Sequence, residues 1–145
     1  MQDIHHLISD CSNQINQNIT GINYLEKLKY LLIDKFKSID SNYLKEYFEY
    51  DKEKKIGDNN IAVSFKNYSL SSSSIKKTVP NDNLTIIING LLTLNLYENA
   101  GSKKTNNLIL NKYMGIVLMK NTLIDETIAK DTMIINILIS NNIDN

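Results

Sequence analysis

The side chains best suited to ligate a metal or move a proton near neutral pH are scarce in this sequence: two histidines, His5 and His6, and one cysteine, Cys11. Adjacent helical residues project about 100° apart, so His5 and His6 do not chelate one ion from one face. They read as surface histidines. Cys11 reads as a packing residue, because nothing near it in sequence would activate a thiolate. Further along, the chemistry falls to other types. Lys76 and Lys77 suit contact with a phosphate as point charges, or equally the role of edge-strand lysines that discourage aggregation. Tyr68 reads as strand packing, with a hydroxyl beside a ligand as the competing role. Asp125-Glu126 would form a carboxylate pair, but adjacent strand residues face opposite sides, so a turn with solvated charges is expected there.

The background against which these residues act is a 145-residue chain, long enough for one domain with a real core. Its sixteen basic residues, all lysine, balance sixteen acids. Zero net charge and the absence of Arg argue against nucleic-acid binding and remove the usual bidentate clamp for a diphosphate. One cysteine allows no internal disulfide, and no apolar run reaches the roughly 18 residues of a membrane span. MQDIHHLISDCSNQ lacks a basic stretch followed by an apolar one, so a cytosolic protein without an export signal is expected. The richness in Asn, Ile and Lys fits an AT-rich genome and gives Asn-rich patches no function by themselves.

Two periods divide the chain. Ile4, Ile8, Cys11, Ile15 and Ile19 step by three or four, as do Ile22, Leu25, Leu28, Leu32, Phe36 and Ile39. Both series predict amphipathic helices. Asn23 and Glu26 resemble a capping box, and Lys29, Asp34, Lys35 and Lys37 read as a solvated face. Residues 41–51 fit either a helix capped by Ser41 or a strand, with helix favoured. Beyond Lys55 the pattern changes to short β-branched runs, IAVSFKNYSL, TIIING, LLTLNLYE, NLIL, GIVLM and MIINILI. Gly57-Asp58, Asn81-Asp82, Asn89-Gly90 and Ala100-Gly101 punctuate them. This pattern predicts an antiparallel barrel or sandwich. Asn89-Gly90 gives the strongest hairpin signal, since a type I′ turn needs positive φ at both central residues. Ser71 to Ser74 read as a flexible loop, lacking the glycines of a phosphate cradle.

Residues 89–140 resemble the second half of the cupin-fold sugar 3,4-ketoisomerases that act on dTDP-4-keto-6-deoxyhexoses. The likeness lies in a strand ending in Asn89-Gly90, then Leu110-Asn111-Lys112, Tyr113-Met114-Gly115-Ile116-Val117-Leu118 and a closing Ile137-Leu138-Ile139-Ser140. It covers roughly residues 60–140 and follows the layout of the family more than its chemistry. The fold it implies is mainly β, a cupin jelly-roll barrel (56–145) with an α-helical N-terminal extension (1–55).

In that family an Arg-Gly-x-His-Ala-His-Lys stretch before the Asn-Gly strand carries the proton-transfer histidines. Counting back from Asn89-Gly90 places them on Lys76 and Thr78, and one residue further on they fall on Lys77 and Val79. The family's Arg-Gly falls in the serine run and its Gln or Glu on Asn83. In the second motif, Pro-Pro falls on Met119-Lys120 and the following His or Arg near Ile124. Histidine suits proton transfer without a large pKa shift, whereas lysine needs strong desolvation and threonine cannot substitute. The resemblance therefore implies a catalytically degenerate or repurposed homologue that binds a dTDP-sugar or serves as an accessory protein. Its ligand contacts would be Tyr68, Lys76, Thr78 and Asn83, with no cofactor and no metal. The alternatives are an active isomerase using Tyr68 and Lys76, and a structural dimerisation protein using the helical stripe. A homodimer is expected, without nucleic-acid or membrane partners.

Overall fold

Ile86, Ile87 and Ile88 are consecutive, β-branched and all buried, and an uninterrupted apolar run is the mark of a strand covered on both faces. That strand is β4 (Asn83–Asn89), and the molecule is built in layers around it. A computed structural model of the protein describes residues 4–40, 42–44, 52–56, 61–97 and 104–139. Two helices, α1 (Ile4–Asn13) and α2 (Gly21–Lys37), precede β1 (Lys52–Ile56), β2 (Ile61–Tyr68) and β3 (Ser72–Thr78). After β4 come β5 (Leu92–Tyr97), β6 (Lys104–Leu110), β7 (Gly115–Leu118), β8 (Leu123–Ile128) and β9 (Thr132–Ile139).

One sheet has the order β1-β2-β9-β4-β7 and the other β3-β8-β5-β6. All pairings are antiparallel, and β2–β9, β3–β8, β4–β7 and β5–β6 nest as one long rolled hairpin. The lateral pairs β4–β9 and β5–β8 join its turns within each sheet. This is a jelly roll, the architecture used by cupins among others. β1 spans the expected boundary between residues 55 and 56 and extends the first sheet at its β2 edge.

The five-stranded sheet is apolar on its outer face and mixed on its inner one, where Lys66, Tyr68, Asn83, Thr85 and Asn136 lie among Ile87, Ile134 and Leu138. Its outer face presents Val63, Phe65, Ile86, Ile135 and Ile137 to the helices, which contribute Ile4, Ile8, Leu25, Leu28, Leu32 and Phe36 to the same buried cluster. The helical stripe is thus consumed within the chain, which leaves it unavailable for the dimerisation role set out above. Cys11 packs in this cluster, and burial pushes its thiol pKa up despite the opposing pull of Lys35.

Several local expectations change. His5 is buried, edge-on to the Phe65 ring at 5.3 Å, because the helix turns it onto the sheet; His6 is exposed, 3.7 Å from Asp10. The residue capping α2 is Thr20, and Asn23 lies inside the helix. Glu26 pairs with Lys29 at 2.8 Å, and the Lys29 side chain, only 15% exposed, lies against Gly115 of β7. Residues 42–44 are helical, with the Asp40 carboxylate accepting the Asn42 N–H at 2.8 Å; Ser41 and residues 45–51 lie outside the described residues. Ser72 to Ser74 form the start of β3, since pairing with β8 satisfies their backbone. Asn89-Gly90 is no hairpin turn: β4 and β5 belong to different sheets. Positive φ is found at Gly90 (99°) but not at Asn89, and the pair carries the chain across a barrel corner. Gly57-Asp58 and Ala100-Gly101 lie outside the described residues.

Candidate binding site in the barrel interior

Strand alternation decides which side chains enter the roll. On β2, residues 61, 63 and 65 face the helices, so Lys66 and Tyr68 face inward. Asn83 and Thr85 of β4 and Asn136 of β9 join them. From the opposite sheet come Leu92, Leu94, Ile124, Glu126 and Ile128. Together they bound a cavity of about 280 Å³, with an apolar floor and polar groups on its walls.

Those polar groups form two sets. Thr85 Oγ1 donates to Asn83 Oδ1 at 3.1 Å, and Asn136 Nδ2 donates to Thr85 Oγ1 at 3.0 Å and to Asn83 Oδ1 at 3.3 Å. With Asn136 Nδ2 so engaged, its Oδ1 is left as an acceptor. Across the barrel, Lys77 Nζ donates to Glu126 Oε1 at 2.6 Å, the lysine half-exposed and the glutamate mostly covered. Glu126 is therefore no turn residue. It stands in β8 facing the lumen, and its neighbour Asp125 faces out, as alternation requires.

The family-histidine positions are resolved by a bulge. Ser74 pairs with Glu126 and Lys77 with Ile124, so residues 75 and 76 stand opposite the single residue Asp125. Strict alternation from Ser74 would turn residues 76 and 78 inward; one extra residue moves every later side chain to the other face. Lys77 and Val79 accordingly line the cavity, and Lys76 and Thr78 are exposed outside it. Lys76 instead lies over the Tyr97 ring, 4.3 Å from its centroid. The Tyr97 hydroxyl donates to Asp125 Oδ2, and Asn95 Nδ2 donates to Asp125 Oδ1 at 2.6 Å. That carboxylate raises the phenol pKa of Tyr97 by accepting its proton in a hydrogen bond.

Of the four expected ligand contacts, then, Tyr68 and Asn83 line the cavity while Lys76 and Thr78 do not. Sequence reasoning missed Lys66, Thr85 and Asn136. The alternation of IAVSFKNY carried the signal for Lys66, which shares a face with Ala62 and Ser64 away from Ile61, Val63 and Phe65, whereas Asn136 stands alone in an apolar run.

Among the described residues, no three His, Cys, Asp or Glu side chains come together in a group that could hold a metal ion. Elemental analysis of the purified protein is expected to find no stoichiometric zinc, iron or manganese. About one ion per chain, lost on Glu126→Gln, would contradict this. No described helix is long and apolar enough to cross a membrane.

No protein-family model matches the sequence, and no curated protein matches it. Solved structures with a similar chain path include a cupin-2 domain-containing protein from Shewanella frigidimarina, 17% identical over 71% of this chain and 95% of that one, with a TM-score of 0.47. A cupin superfamily protein from Desulfitobacterium hafniense is 10% identical over 63% of this chain and 78% of its own, TM-score 0.45. The EutQ protein of Clostridium difficile is 11% identical over 65% and 69%, TM-score 0.47. None of these three is described as a sugar ketoisomerase. The jelly-roll assignment rests on the strand order of the chain itself.

Proposed function

We propose that this protein is a non-catalytic binding barrel whose interior takes a small, hydroxyl-bearing molecule of about monosaccharide size. The observation that carries the reading is the cavity, with Asn83, Thr85 and Asn136 on one wall and the Lys77–Glu126 pair on the other, above an apolar floor. Apolar surface with a few placed polar groups is how small-molecule sites are generally built. At about 280 Å³ it lies near the lower end of ligand pockets, so only the sugar of a dTDP-sugar would enter, with the nucleotide left outside. An acid–base reaction finds little support: no histidine occurs beyond residue 6, and Glu126, the one carboxylate on the wall among the described residues, is held by Lys77. An isomerase built on Tyr68 and Lys76 loses its pair, because Lys76 lies outside the barrel.

Thermal-shift measurements against neutral monosaccharides, dTDP, dTDP-glucose and dTDP-4-keto-6-deoxyglucose test the reading. A ligand at a hundred times its Kd adds about 2.7 kcal/mol of stability, equivalent to a rise in midpoint of roughly 5–10 °C. Asn136→Leu should reduce that rise without lowering the midpoint of the free protein by more than a few degrees. Binding insensitive to Asn136→Leu, or no binding across the panel, would count against the barrel interior as the site.

A further inference from the structure

We infer that the molecule taken by this barrel is a small hydroxy acid, with Lys66 as the counter-ion of its carboxylate and Asn136 Oδ1 accepting a hydroxyl. The inference rests on the proposed binding role of the barrel and adds the charge of the ligand. Among the described residues, three charged side chains line the cavity: Lys66, Lys77 and Glu126. Lys77 and Glu126 neutralise one another at 2.6 Å. Lys66 makes no ion pair among the described residues, so the described lining of the cavity carries one net positive charge.

Lys66 is exposed at the mouth, where a lysine stays hydrated at little cost. Its direction is nevertheless dictated by the strand, because the alternate positions Val63 and Phe65 are buried beneath the helices. Lys66 stands opposite Ile134 of β9, and Asn136 is the next inward residue along that strand. Neighbouring inward positions on paired strands lie about 7–8 Å apart at the backbone. An ammonium on a flexible stem and an amide oxygen at that spacing can meet a carboxylate and a hydroxyl of one small molecule. The orientation of the amide follows from its partners, since Asn136 Nδ2 is committed to Thr85 and Asn83. A neutral sugar would leave the charge of Lys66 unused, and a dianion would exceed it.

The test titrates the full chain, by calorimetry at low and moderate salt, with gluconate and glucuronate and with their neutral counterparts glucose and glucuronamide. The acids are expected to bind about ten- to a hundredfold more tightly than the neutral compounds, the range of one charge-assisted hydrogen bond. Lys66→Gln should bring acid and neutral affinities level, Lys66→Arg should restore much of the difference, and Lys76→Gln, outside the barrel, should leave it intact. Equal binding of acids and neutral compounds would overturn the hydroxy-acid inference and leave the binding role standing. An acid preference that survives Lys66→Gln, or disappears equally in Lys76→Gln, would also overturn it, by showing that the charge resides elsewhere. Failure of all four compounds to bind would remove the inference together with the binding role.

Discussion

Gly90→Ala is expected to destabilise the protein by about 4 kcal/mol, the sum of backbone strain and forced overpacking at one position. Gly90 sits at φ +99°, where an L side chain is strained whatever space is available. Space is also lacking: a Cβ there would lie 2.3 Å from Thr132 Oγ1 and 2.6 Å from Thr132 Cα. Thr132 cannot move aside freely, since it is fully buried and its hydroxyl bridges the Leu91 backbone, accepting from the N–H at 3.1 Å and donating to the carbonyl at 3.3 Å. Against a total stability of about 5–15 kcal/mol, the loss should lower the midpoint by roughly 10 °C. Gly21→Ala provides the comparison, because its φ is +61° but nothing lies within 4 Å. It should cost about 1–2 kcal/mol, from strain alone. Urea denaturation of the two variants separates the terms. A Gly90→Ala protein as stable as Gly21→Ala would show that the crossover between the sheets is looser than described.

Incubated with the protein, dTDP-4-keto-6-deoxyglucose is expected to be recovered without 3,4-ketoisomerisation. Positioned acid and base groups typically supply about 10²–10⁴-fold each, and the barrel interior contains no histidine for either role. Lys76→His combined with Thr78→His is expected to remain inactive for a geometric reason: both residues are exposed outside the cavity. Histidines at 77 and 79 would face the lumen, since Lys77 and Val79 line it, though Lys77→His also removes the partner of Glu126. Product NMR distinguishes the outcomes. Robust turnover by the unmodified protein, abolished by Tyr68→Phe or Lys76→Ala, would establish the isomerase alternative over the binding role.

Residue inventory and hydrophobic period are local properties, and both were legible along the chain. The steps of three and four from Ile4 to Cys11 and from Leu25 to Phe36 are local, and they place one buried stripe on each helix wherever the helix docks. The β-branched runs became β2, β4, β5, β6, β7 and β9 because alternation and β-branching are properties of a few adjacent residues. The lack of histidine beyond residue 6 excluded a histidine centre in the barrel before any coordinate was known. Tyr68 and Asn83 are singled out only through the family resemblance, Tyr68 otherwise reading as strand packing, and both line the cavity.

Tertiary structure decided the features that depend on partners distant in the chain. Lys77 meets Glu126 across 49 residues, and neither shows in its own segment that the other exists. The bulge opposite Asp125 is a mismatch between two strands, so it cannot be read from β3 alone; yet it exchanges Lys76 and Thr78 for Lys77 and Val79 at the lumen. Asn89-Gly90 has the composition of a tight hairpin, but β9 and β7 claim the edges of β4 and leave none for β5. Serines 72–74, poor strand formers by composition, become strand because β8 supplies the ladder. Lys66 and Asn136 reach one cavity only because β2 and β9, some seventy residues apart along the chain, lie side by side. Local periodicity sets which residues share a face of one strand; which faces meet is settled by long-range pairing and the packing of both sheets.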